Sequence, residues 1–217
     1  MTEEVKQKTR IHTVYKTQEG KRVPSVTTIL NILNKPALLT WAWQCGVDGL
    51  DYRSVRDDAA GVGTLAHYLI MCELRKEQPD TAEYSPDDVR RAENCLLKYW
   101  DWEKQNKPEP ILIEAPLVSD KLSFGGTIDC LAKVGNEFWL VDYKTGKAIY
   151  SEMVYQLAAY RALLSEHGHI VNQARILRIG RDDKEGFEEK QFLNLDKAFE
   201  LFLCCKRIYE LQKEVKS

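Results

Sequence analysis

Phe124-Gly125-Gly126-Thr127-Ile128-Asp129-Cys130-Leu131 is followed, beyond a Gly135-Asn136 turn, by Phe138-Trp139-Leu140-Val141-Asp142-Tyr143-Lys144. Both runs are β-prone and mostly apolar, and the short Gly-Asn connection makes them neighbours in a meander. Each ends in an acid. A buried carboxylate without a counter-charge is costly, so two of them on adjacent strands call for cations nearby. Strand alternation puts Asp142 and Lys144 on one face and turns Tyr143 away. If the strands pair across the turn, Asp129 approaches the same edge, and two acids and a lysine converge. Taken alone, Asp-x-Lys describes a structural ion pair at a strand end just as well.

Around these strands the chain divides in texture. Residues 1–21 read as a charged arm or a short hairpin around Glu19-Gly20. Ser25 is placed to cap a helix carrying Val26, Ile29, Leu30 and Leu33, which Pro36 interrupts. Helices are expected over 37–52 and 58–76, the second weakened in its first turn by Gly61 and Gly63. Ser85-Pro86-Asp87-Asp88 combines an N-cap, a first-turn proline and early acids, starting a helix that runs to about Lys104. After a 106–110 linker come strands over 111–118, 122–134 and 138–143, a helix over 151–166, strands near 174–179 and 188–193, and a helix from Asp196. This order predicts an α/β (α+β) fold, a central mixed sheet flanked by helices with an N-terminal helical region. The natural division is 1–110, arm and helices, and 111–217, the sheet and its flanking helices, within one compact domain.

Composition narrows the options. The 217 residues are 44% hydrophobic and 29% charged, enough for a real core, with a net charge of −2. That balance does not announce a nucleic-acid binder, but only the surface facing phosphates need be positive, and bound cations add charge of their own. No apolar run approaches the roughly 20 residues that cross a bilayer, and the polar first ten residues do not resemble a signal peptide. A soluble, cytoplasmic protein with no membrane partner is expected. The six cysteines form no Cys-x-x-Cys pair, so reduced, structural thiols are expected.

Four motifs occur in one order: Gly63-Thr64-Leu65-Ala66-His67, Gly126-Thr127-Ile128-Asp129, Asp142-Tyr143-Lys144 and Gln156-Leu157-Ala158-Ala159-Tyr160. Together they resemble the PD-(D/E)XK nuclease superfamily, in its RecB-like branch, which includes CRISPR adaptation nucleases and mitochondrial single-strand exonucleases. The resemblance spans about residues 24–180 and also takes in the Pro24–Leu30 segment. It implies a restriction-endonuclease-like fold and a Mg²⁺- or Mn²⁺-dependent deoxyribonuclease. His67, Asp129, Asp142 and the Tyr143 backbone carbonyl would be metal ligands, with Glu114 in a further acidic position that matches less closely. Asp129, Asp142 and Lys144 would carry catalysis, and Gln156 and Tyr160, four apart on one helix face, would position the lysine and the nucleic acid. Lys147 is a candidate phosphate contact, although an exposed loop lysine describes it equally well.

Such an arrangement suits phosphodiester hydrolysis, because hard carboxylate oxygens hold Mg²⁺ while leaving waters to share with the substrate. Several members of the branch hold an iron–sulfur cluster on clustered C-terminal cysteines. Here only Cys204-Cys205 stand there, so no cluster is expected. The absence of a phosphate-binding glycine loop excludes a helicase motor, leaving a stand-alone nuclease domain of a kind often encoded by bacteriophages, with roles in recombination, repair or phage DNA processing and an unidentified recombination or replication partner. Trp41, Trp43, Tyr52, Tyr99, Trp100 and Trp102 enrich the helical half in rings, serving as core or as stacking platforms for unpaired bases. The reading is therefore an exonuclease on DNA ends with single-strand preference. The alternatives are a structure-selective endonuclease and a catalytically silent nucleic-acid-binding module.

Overall fold

In the computed structural model, which describes residues 13–215, a single five-stranded sheet organises the chain. Its order is β1 (Glu109–Ser119), β2 (Phe124–Val134), β3 (Glu137–Lys144), β4 (Gln173–Ile179) and β5 (Phe187–Phe192). Every neighbouring pair is antiparallel except β3 and β4. A parallel pair needs a long crossover, and the helix α5 (Ser151–Glu166) supplies it. The mixed sheet flanked by helices on both faces is the α+β architecture expected from the element order.

Two cores cover the two faces. On one, Phe124, Ile128, Leu131 and Leu140 meet α1 (Val26–Leu30), α5 and α6 (Asp196–Glu214) through Ile29, Leu157, Leu163, Leu164 and Phe202. On the other, Cys130, Val141, Tyr143 and Leu177 pack against α3 (Tyr52–Arg75) and α4 (Pro86–Asn106) through Leu65, Leu69, Ile70, Cys95 and Tyr99. Each fully buried Leu or Ile contributes about 1.5–3 kcal/mol of transfer free energy. The α3–α4 pair shares its core with the sheet, and this places a face of α3 directly above the strands that carry the acids.

Local signals set most boundaries. Ser25 caps α1 by accepting from Thr28 N, and Ser85 caps α4 from Asp88 N with Pro86 behind it. The expected hairpin forms: Lys16 bridges Arg22 around Gly20, whose φ is +82°, while the first twelve residues lie outside the described range. Several boundaries differ from expectation. Helix α1 ends at Leu30, and Leu33 falls in the following turn. Pro36, instead of only breaking a helix, opens α2 (Pro36–Val47), where its missing N–H costs nothing. The next helix starts at Tyr52, not 58, because Gly49 at φ +71° makes the turn and Asp51 caps it. Gly61 and Gly63 thus lie well inside α3. The 106–110 linker shrinks to two residues, with Pro110 tolerated because β1 is an edge strand.

All six cysteines are free, and all but Cys204 are buried. Burial pushes the Cys95 thiol up to about 11 and that of Cys130 up to about 12, as expected of thiols packed as small apolar groups. No helix among the described residues is long and apolar enough to cross a membrane.

Candidate active site

The site begins where the sheet's regularity lapses. The β2–β3 ladder stops at Cys130↔Val141, and Asp129 lies just beyond its end. Its carboxylate fills the gap, Oδ2 accepting from Tyr143 N at 2.9 Å. Across β1, the pairs Ile113↔Cys130 and Ala115↔Ile128 flank Glu114 and Asp129. At that point Glu114 has φ +48°. This left-handed conformation is uncommon for a glutamate, and strained residues of this kind cluster at functional sites.

Helix α3 brings His67 down onto the same spot, its Nδ1 3.8 Å from Asp129 Oδ2. His67, Glu114 and Asp129 each offer a ligand atom, all within 4.8 Å of one another. Helix α3 can approach this closely because Gly63 lies one turn before His67. A Cβ at Gly63 would stand 2.6 Å from Thr145 Oγ1 in the loop after β3. The same logic governs β2. A Cβ on Gly126 would come within 2.5 Å of the Tyr160 ring, and one on Gly125 within 2.4 Å of Tyr15. The glycines of the two motifs thus make room for a helix and for two aromatic rings beside the acids.

Asp142 lies on β3 at 1% exposure. Lys144 Nζ stands 2.5 Å from its Oδ2, whereas Oδ1 is buried with no hydrogen-bond donor among the described residues. Burial drives the Asp142 carboxyl up to about 6, with Asp129 adding to the rise and Lys144 opposing it. A buried carboxylate oxygen with no donor is what a bound cation would satisfy. The donor set, carboxylates with one imidazole, suits a hard or borderline divalent ion. The residues therefore fit a divalent metal. The three-membered group of His67, Glu114 and Asp129 does not include Asp142, which adjoins it from the next strand.

A cleft of about 620 Å³ opens onto this ensemble, lined among others by His67, Glu114, Asp129, Lys144, Gln156 and Tyr160. Gln156 Nε2 donates to Tyr160 Oη at 2.7 Å, as their four-residue spacing implies. The Tyr160 hydroxyl is raised well above its ordinary value by burial and then by Asp142 and Asp129, so it stays a neutral donor. The Tyr143 side chain turns away from Asp142 and Lys144 into the α3–α4 core, its ring 5.6 Å from Tyr99 and 6.1 Å from His67. Lys147 is exposed in the loop after β3.

Three residues that line or support the cleft were not read from the sequence. Tyr15, on the N-terminal hairpin, bonds Thr127 Oγ1 at 2.8 Å and closes one wall. Thr145 nests against Gly63. Arg178 donates to Gly146 O and Glu185 O at 3.4 and 2.6 Å, tying down the loop beyond Lys144. The Gly125-Gly126 pair was the available signal for close ring packing, but nothing local named Tyr15 as its occupant.

The fold and this set of acids, histidine and lysine define a class of metal-dependent phosphodiesterases, and a sequence comparison makes the class specific. The profile of the PD-(D/E)XK nuclease superfamily matches residues 52–215; the chain belongs to that superfamily and is a nuclease. No curated protein matches it in sequence. Among solved structures, it is similar to an alkaline exonuclease, LHK-Exo, from Laribacter hongkongensis, at 12% identity over 73% of this chain and 90% of that one, with a TM-score of 0.37. The complex of LHK-Exo with dAMP gives 14% identity over 70% and 80%, with a TM-score of 0.41. A protein named SSO0001 gives 13% over 70% and 74%, with a TM-score of 0.34. Likenesses this distant carry no argument about substrate.

Proposed function

We propose that the chain is a Mg²⁺- or Mn²⁺-dependent deoxyribonuclease that degrades DNA from its ends, preferring single strands. One observation carries the chemistry: the ligand atoms of His67, Glu114 and Asp129 gather within 4.8 Å at a cleft that Lys144 also lines. Asp142, with its donor-less Oδ1, and the Tyr143 carbonyl complete the proposed ligand set. A divalent ion bound there would polarise the scissile phosphate and lower the pKa of its bound water.

The chain's own groups do the rest. Lys144, held by Asp142, lines the cleft, where its ammonium would orient the attacking water and offset charge developing on the phosphate. Tyr160, kept neutral by burial and fixed by Gln156, supplies a hydroxyl on the same side, and the Gln156–Tyr160 pair limits the lysine's freedom. The 1–110 portion contributes His67 from α3, and 111–217 contributes the remaining groups, so neither portion would be active alone.

End-directed action rests on the exposed rings of the helical half. Trp43 is 67% and Tyr52 37% exposed, available for sequence-blind stacking on unpaired bases. By contrast Tyr99 and Trp102 are core. The test incubates a linear single strand and the same sequence closed into a covalent circle with the protein, in Mg²⁺, Mn²⁺ or EDTA at matched salt. Release of short products from the linear form alone, only with metal, is the expected result. Equal nicking of the circle would replace the exonuclease with an endonuclease. Binding without cleavage in either metal would make the chain a silent binding module. Recombination, repair or phage DNA processing is the proposed setting, in the cytoplasm.

A further inference from the structure

A second, smaller hollow adjoins the metal-ligating group. It measures about 200 Å³ and shares two walls with the main cleft, His67 and Glu114. Its remaining walls differ in chemistry. Along α3, Met71 follows His67 and Tyr68 follows Thr64, each four residues on, and Tyr84 lines the hollow from the turn before α4. Thr64 and Asp80 complete the rim.

The hollow is preformed. Tyr68 Oη accepts from Asp80 N at 3.0 Å, which pins the 77–85 connection to α3. Tyr84 N donates to Thr81 O at 3.0 Å, and Ser85 caps the helix behind it. Tyr68 and Tyr84 both rest on the α3–α4 core. Neither ring is needed to close that core, since each is only half-buried.

Two tyrosine rings and a thioether suit a flat, neutral, polarisable group. They do not suit a phosphate, which the adjacent carboxylates of Glu114 and Asp80 would repel. A phosphodiester held at His67, Glu114 and Asp129 carries a base a few bonds away, and this hollow offers that base two tyrosine rings and a thioether contiguous with His67 and Glu114. We propose that the Tyr68–Met71–Tyr84 hollow is a nucleobase subsite, holding the unpaired base of the nucleotide next to the scissile phosphate. The inference rests on the nuclease reading above and adds to it a reason for single-strand preference: a paired base could not enter.

Calorimetric titration tests it without turnover. The native protein, Tyr84→Ala, Tyr84→Phe and Met71→Trp, which fills the hollow, are each titrated with the four deoxynucleoside 5′-monophosphates and with deoxyribose 5-phosphate. The titrations are run in Mg²⁺ and in EDTA. Stacking of this kind corresponds to about a tenfold or greater difference in affinity. The native protein should bind the nucleotides at least that much more tightly than the base-less sugar phosphate. The ratio should persist in Tyr84→Phe and fall towards one in Tyr84→Ala and Met71→Trp. Equal affinity of the native protein for both kinds of ligand, or a ratio unchanged in both Tyr84→Ala and Met71→Trp, would overturn the subsite. Failure of the metal site shows separately: sugar-phosphate binding would then be the same in Mg²⁺ and EDTA, while the base-dependent ratio still reports on the hollow.

Discussion

Replacing Asp142 with Asn should stabilise the metal-free protein at alkaline pH. The Asp142 carboxyl sits at about 6 in the folded chain against an ordinary 3.8, chiefly through burial. At 1.36 kcal/mol per pH unit, that difference corresponds to a folding penalty of about 3 kcal/mol once the group is ionised. The sign follows from proton counting. Below about pH 4 both states hold the proton and no penalty exists. Between about 4 and 6 the folded state keeps a proton that the unfolded state has released, so stability falls as pH rises. Above about 6 the whole penalty is present. Asn removes the charge but leaves a buried amide, which returns about 1–2 kcal/mol. A net gain of about 1–2 kcal/mol at pH 8 remains, and with urea m-values of about 1–3 kcal/mol/M it raises the unfolding midpoint by roughly 0.3–2 M. The assay is urea unfolding of both proteins in EDTA at pH 4 and pH 8. At pH 4 the variant should be no more stable than the native protein. Adding Mn²⁺ at pH 8 should reverse the order, because binding to the folded state alone adds stability through mass action. An Asp142→Asn protein less stable than native at pH 8 in EDTA would refute the claim that this carboxylate is held for an ion at the cost of the fold.

Other outcomes follow from the same geometry. Lys144→Ala should keep Mn²⁺ affinity by calorimetry while losing about 10²–10³-fold in cleavage rate, the scale of one lost transition-state donor; matched loss of both would make the lysine structural. Gly126→Ala drives a methyl to within 2.5 Å of the Tyr160 ring, so it should cost about 1–3 kcal/mol by overpacking and lower activity. Tyr160→Ala in the same background should restore much of the stability, which thermal unfolding would show. Glu185 is held down to about 2, first by its hydrogen bonds to Arg181. Glu185→Gln should therefore lower stability at pH 7 by about 1 kcal/mol, a figure discounted for solvent screening. The difference should fade as pH drops from about 4.5 towards 2, read as converging unfolding midpoints.

The sheet was legible because its strands and turns are local. Gly135-Asn136, the β-rich runs and the 151–166 helix all carry signals within a few residues, whereas which strand pair is parallel emerged only from the β3–α5–β4 crossover. Helix starts were less legible where a cap lay outside the apolar pattern. Asp51 opens α3 six residues before the expected start, and the polar first turns hide it. At the site, Asp129 stands out as a charge inside an apolar strand, Asp142 and Lys144 as charges at the end of another, and His67, Gln156 and Tyr160 through their spacing. Glu114 was the weakest reading, yet it lies beside Asp129 and His67. What draws it in is the left-handed turn of β1 opposite Asp129, a property of two strands together that no single stretch encodes. Tyr15 and Thr145 were illegible for a related reason: glycine reveals that something packs closely, not what.

On the proposed function, hydrolysis depends on an ion held around Asp129. The measurement that tests it most directly is the initial rate of cleavage of an end-labelled single strand in Mg²⁺ by the native protein and by Asp129→Ala, both shown to be folded by circular dichroism. Loss of a ligand that fixes the charge-stabilising centre should lower the rate by about a thousandfold or more. An Asp129→Ala protein that cleaves within tenfold of native, with Mg²⁺ still required, would place the metal and the chemistry elsewhere in the molecule.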